Sequence, residues 1–144
     1  MDAILDILRF LHSWMRWLVL IAAVVVILFS AMGMNQNRPF EAYGVRIMRI
    51  FAIVISLQWL IGLIFLIAWG AETGFGVRYY WEHLFTMTLA VGLASATRPL
   101  YKRMNLGDRG RYRANIIVVL VVLLLIIGGI AVLPDGIQWR FYTP

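Results

Sequence analysis

The chain contains no cysteine, two histidines, seven acidic residues and four prolines among 144 positions. Without cysteine there are no disulfides, no cysteine-ligated iron–sulfur clusters, no thiolate zinc sites and no thioether-attached haem. Any metal must be held by histidine, methionine or carboxylate, or arrive inside a non-covalently bound macrocycle. A Gly-rich phosphate loop is also missing, which argues against nucleotide-driven chemistry. Polar surface is scarce as well. Hydrophobic residues make up 62% of the chain, charged residues 14%, and mean hydropathy is +0.85. A water-soluble domain needs more polar surface than this.

What is present is four long apolar runs, roughly Leu11 to Gly33, Ile47 to Trp69, Tyr80 to Thr97 and Asn115 to Leu133. Each is close to the ~20 residues that a helix needs to cross a hydrocarbon layer of about 30 Å. Backbone amides in hydrocarbon must be paired within the segment, and the runs are continuous rather than alternating, so helices are expected and a barrel is not. The largely β-branched stretch Ile116 to Val122 would signal a strand in water, but a bilayer overrides that preference. The expected fold is an all-α membrane protein, a single domain of four transmembrane helices in an antiparallel bundle.

Charge placement sets the expected orientation. The first connection carries Arg38, Arg46 and Arg49, the last of them at the edge of the second run, and the third carries Arg98, Lys102, Arg103, Arg109, Arg111 and Arg113, which is nine of the 13 basic residues. The positive-inside rule puts these connections in the cytoplasm and both termini on the outer, periplasmic side. The net charge of +6 then reads as topology and attraction to anionic lipid headgroups. No basic stripe with interleaved aromatics points to nucleic acid. Asp2 and Asp6 oppose a secretory n-region, so the first helix is expected to be retained, although Ser30-Ala31-Met32-Gly33 has a passing likeness to a cleavage site.

The polar residues inside the runs are few, and each needs a reason. His12 and Arg16 share one helical stripe with Leu8, Val19 and Ala23. An arginine costs about 2.5 kcal/mol or more at the centre of a membrane helix and less near its edge. Arg16 is therefore expected to reach the headgroups, to pair with Glu82 or to meet an anionic cofactor group such as a haem propionate. His83 is followed along its stripe by Met87, Ala90 and Ala94, small enough for a partner helix or a flat macrocycle to approach. Arg78 and Glu82 are spaced to form an ion pair one turn apart. Gln58 sits near the middle of the second run, on a stripe with Gly62, Phe65 and Trp69, and should face the bundle interior as structural glue or as a quinone or haem contact. The fourth run, from Ile116, has no polar side chain and reads as packing or lipid-facing surface, and as a seat for a larger partner.

The two histidines lie 71 residues apart, and each opens a helix, basic connection and helix, so the chain reads as a weak parallel repeat with the first and third helices as counterparts. Both imidazoles fall near the outer face, where two facing rings can ligate one haem iron; the plainer alternative is two hydrogen-bonded packing histidines. Depth speaks against a perfect match. His83 is about 22 Å from the inner boundary counted back from Arg98, and His12 about 32 Å from Gly33.

The segments Leu11-His12-Ser13-Trp14-Met15-Arg16-Trp17, Gln58 to Ile64 and Arg78 to His83 resemble a family of small bacterial four-helix membrane proteins labelled cytochrome b-like. The resemblance spans nearly the whole chain. It implies a haem b held by His12 and His83 with Arg16, Gln58, Arg78 and Glu82 as neighbours, in a bacterial inner (cytoplasmic) membrane. Two functional expectations follow. One is a b-type cytochrome exchanging electrons near the outer face, linked to quinol oxidation. The other is a non-catalytic accessory subunit of a respiratory or photosynthetic electron-transport complex. The lack of a midplane proton-relay carboxylate argues against a pump or transporter.

Overall fold

The computed structural model describes residues 2–103, 105–135, 137–139 and 142. Among them the chain is all helical: α1 (Asp2–Asn35), α2 (Phe40–Thr73), α3 (Arg78–Ser95), α4 (Thr97–Arg103) and α5 (Asp108–Ala131). Three of these helices, α1, α2 and α5, are long and apolar enough to cross a membrane. α3 is an 18-residue helix whose first two turns carry Arg78, Glu82 and His83. The helices overrun the apolar runs at most ends. A backbone helix need not stop where hydrocarbon stops, so Arg46, Arg49, Glu72 and Arg109 extend helical turns rather than forming loops.

Short connections force neighbours to run antiparallel. Between α1 and α2 the chain reverses over residues 36–39, with Asn37 at φ 50°, a left-handed conformation that asparagine tolerates. Pro39 then precedes α2 in extended geometry. α2 ends at Gly74, whose φ of 87° suits a residue without Cβ and whose N–H donates to the Gly70 carbonyl. Helix α1 packs on α2 and α5, and α3 packs on α2 and α5, which closes a ring of four helices.

The outward faces are apolar, with Ile21 and Leu28 of α1, Ile53 of α2 and Leu124 of α5 exposed. The polar residues His12, Gln58 and His83 turn inward. Apolar outside and polar inside is the distribution that a lipid bilayer environment selects.

Most of the core is aliphatic, built around Val19, Ala23, Phe51, Ala90, Val122 and Ile126. α5 contributes more of it than its featureless sequence suggests. Val118, Val119, Val122, Ile126 and Ile130 are all buried, so this helix packs centrally instead of offering its whole surface to lipid or a partner.

The repeat is plain in the burial pattern. Shifted by 71 positions, the buried residues Val19, Ala23, Val26 and Ser30 fall on the buried residues Ala90, Ala94, Thr97 and Tyr101. On the other pair of helices, Gly44, Met48, Phe51 and Ile55 fall on Asn115, Val119, Val122 and Ile126, again all buried. The counterpart of α1 is thus α3 and α4 together, interrupted at Ala96, and the counterpart of α2 is α5 and the segment beyond Pro134.

That correspondence corrects the depth comparison made from sequence. Gly33 and Arg98 are not repeat equivalents, because the second half of α1 is matched by the end of α3 and by α4. Counting from them compared two different heights.

Candidate functional site

At the end of the bundle where α1 and α3 begin and α2 and α5 finish, the helices splay around a cavity of about 590 Å³. Its size falls within the roughly 300–1,000 Å³ of small-molecule and cofactor sites. Val19, Ile55 and Ile126 form its apolar floor, and Trp59, Trp69 and Tyr80 its aromatic wall. Its polar lining is His12, Arg16, Gln58 and His83, with Asp6, Arg9, Ser13 and Tyr142 beside the start of α1.

The two imidazoles converge here. Their ring centres are 6.3 Å apart and their planes lie at 78°. Imidazoles bound on opposite sides of one metal ion at about 2 Å each have centres roughly 6 to 6.5 Å apart. The observed spacing meets that requirement.

Each ring is oriented from behind. His83 Nδ1 lies 2.6 Å from the Gly129 carbonyl oxygen, to which its N–H donates. That bond fixes the tautomer and leaves Nε2 as the basic nitrogen, the arrangement found behind metal-ligating histidines. On the facing side, Gln58 Nε2 donates to the His12 carbonyl at 2.9 Å and lies beside both ring nitrogens of His12, 3.2 Å from Nδ1 and 3.4 Å from Nε2. The His12 ring also rests on Gly62: a Cβ there would come within 2.6 Å of His12 Cε1. Gln58 Oε1 is buried, with no hydrogen-bond partner among the described residues, and so retains an acceptor for a donor from outside the protein.

His12 and Gln58 are separated by 46 residues, and so are His83 and Gly129. The two supports are therefore repeat equivalents. Moreover, His12 meets its own equivalent His83, and at the other end of the bundle Asn115 Nδ2 donates to the carbonyl of its own equivalent, Gly44, at 3.2 Å. A residue that touches its counterpart sits on the axis relating two halves, so the histidine pair lies on the bundle's approximate two-fold axis.

Arg16 lines the cavity and donates through Nη1 to the Gln138 carbonyl. It does not reach Glu82, which pairs instead with Arg78 at 2.6 Å. That ion pair lies outside the cavity wall, with the Arg78 side chain 90% exposed. The structure thus brings His12, Arg16, Gln58 and His83 together and leaves Arg78 and Glu82 at the rim.

The segment after α5 folds back across the start of α1. Tyr142 N–H donates to Ser13 Oγ at 3.1 Å and its hydroxyl to Asp6 Oδ1 at 2.5 Å, while Arg9 lies over its ring. The Asp6 carboxylate holds the Tyr142 phenol above its ordinary pKa. Trp17 and Trp139 pack at 6.4 Å, an aromatic pair of the kind found at a membrane interface. Sequence reasoning missed the roles of Gly129 and of this returning segment. A backbone carbonyl has no side-chain signature, and only the 71-residue register could have pointed to Gly129.

The described residues contain no cluster of three or more His, Asp or Glu side chains able to hold a bare metal ion. A two-histidine set requires that the ion's other ligands come with it, as in a macrocycle. No family model, curated protein or solved structure matches the chain.

Proposed function

We propose that the chain is a b-type cytochrome-like membrane protein in which His12 and His83 are the axial ligands of one haem b near the outer face. A single observation carries the reading: two inward-facing imidazoles 6.3 Å apart, one of them fixed through Nδ1 by a backbone carbonyl. In this reading Gln58 positions His12, the Gly129 carbonyl positions His83, and Arg16 offers its guanidinium to a propionate. A haem held by both histidines would supply one-electron transfer rather than oxygen chemistry. A quinol or a periplasmic carrier is the proposed exchange partner.

The same proposal includes four membrane spans, with α3 as the fourth, both termini outside, and a bacterial inner membrane as the location. The positive charge concentrated at the α1–α2 and α3–α5 connections supports this orientation. Because the chain lacks cysteine, single substitutions report topology cleanly. Gly76→Cys should react with a membrane-impermeant maleimide from the periplasmic side, and Asn105→Cys only after lysis; the reverse pattern inverts the topology.

The haem is tested by the reduced-minus-oxidised visible spectrum of the detergent-purified protein. A sharp b-type band lost in both His12→Ala and His83→Ala supports the cytochrome. Absence of pigment in freshly isolated membranes, or a band indifferent to both substitutions, leaves the accessory-subunit reading in its place.

A further inference from the structure

A second opening, about 410 Å³, runs along the seam between α2 and α3. It is remote from the histidines in character: Ala52, Ile53, Leu57 and Leu60 of α2 line one side, Ala94 and Ser95 of α3 the other, and Arg49 stands at one end. From Arg49 to Leu60 a helix rises about 16 Å, close to half of a hydrocarbon layer of about 30 Å. Beyond it the seam is tied shut, because Trp59 Nε1 donates to Thr88 Oγ1 at 2.9 Å. The groove therefore has the length of one leaflet, closed at the midplane and charged at the headgroup end.

The charge is available. The ion pairs among the described residues are Arg78–Glu82 and Arg111–Glu41, and neither involves Arg49. Thr97 and Tyr101, at the same end, use their hydroxyls inside the protein, on the Ala94 carbonyl and on Asn115. Arg46 and Arg103 are exposed nearby in sequence and add to the same sign.

The repeat supplies a control within the molecule. The equivalent seam lies between α1 and α5, and there the counterparts of Arg49 and Ser95 are Leu120 and Val24. An apolar seam suffices for helix packing. The arginine between α2 and α3 is an addition to the shared frame.

We infer that this groove binds one anionic diacyl phospholipid of the basic-side leaflet, its phosphate on Arg49 and an acyl chain along Ala52 to Leu60. Neutral lipid would fill the apolar part equally well, so the arginine confers the headgroup preference. The inference does not depend on haem, and its test does not read haem.

Protein reconstituted in nanodiscs of phosphatidylcholine with a minor fraction of phosphatidylglycerol, then released into detergent, should retain one phosphatidylglycerol by native mass spectrometry. Arg49→Gln should lower that retention about fivefold, the effect of roughly one basic residue at a membrane surface. Arg109→Gln removes the same charge from an exposed site outside the groove and should leave retention unchanged. Ser95→Trp, which fills the groove from an exposed position, should abolish retention of either lipid. Equal losses in Arg49→Gln and Arg109→Gln, or retention of phosphatidylcholine and phosphatidylglycerol in their bulk ratio, overturn the inference. A circular dichroism spectrum matching the parent chain checks that each variant is folded.

Discussion

The two ends of this bundle use the same four helices for opposite purposes. At the basic end the helices are sealed: Phe40 is wholly buried between Tyr101 and Tyr112, with ring centres 5.3 and 5.0 Å away, and Asn115 joins the Tyr101 hydroxyl to the Gly44 carbonyl. Burial pushes the Tyr101 phenol well above its ordinary pKa, so it remains a neutral donor. At the other end the equivalent helices line a cavity of about 590 Å³ that holds His12, Arg16, Gln58 and His83. Stability is concentrated where the chain gains nothing by opening, and the histidines sit where packing has been relaxed.

The largest expected effect tests this division directly. Phe40→Ala should cost about 3–5 kcal/mol, the usual range for removing a fully buried ring, whereas Phe65→Ala on the cavity wall should cost roughly 1 kcal/mol because the ring is only half buried. Thermal unfolding in detergent, followed by circular dichroism, measures both. Similar costs at the two positions would erase the contrast.

Next in size, Asn115→Ala leaves the Tyr101 hydroxyl and the Gly44 carbonyl buried without their partner, a loss of about 1–3 kcal/mol. The same melting experiment reads it, and the b-type spectrum should not move. Gly62→Ala reverses that pattern. Its Cβ displaces the His12 ring, so we expect a stability cost of about 1 kcal/mol together with a weakened or shifted b band. A band unchanged in Gly62→Ala would separate His12 from the pigment. Smallest of all, Arg78→Ala removes an exposed ion pair and should change stability by no more than about 0.5 kcal/mol.

Much of this was legible in the residues. The apolar runs foretold the helices because length and hydropathy are local properties, and the stripe of Gln58, Gly62, Phe65 and Trp69 does line one cavity, as helical periodicity requires. Val19 and Ala23 are buried on the stripe below His12 and Arg16 for the same reason. What sequence could not supply were relations between helices. The meeting of His12 with His83 depends on how α1 and α3 pack around α2 and α5, which no charge count locates. The resemblance implied Arg78 and Glu82 as neighbours of the histidine pair, but they pair with each other outside the cavity lining. The importance of Asn115 was hidden by its place at the very start of an apolar run, where it read as a boundary.

The placement of the imidazole pair on the axis of the repeat has a consequence for biogenesis. Each half brings one ring and the group that steadies it, so a nascent chain that has released only α1 and α2 presents half a centre. The pair exists only once α5 is inserted and its Gly129 carbonyl stands behind His83. Pairing of the two rings therefore requires that the chain has been made and packed through α5.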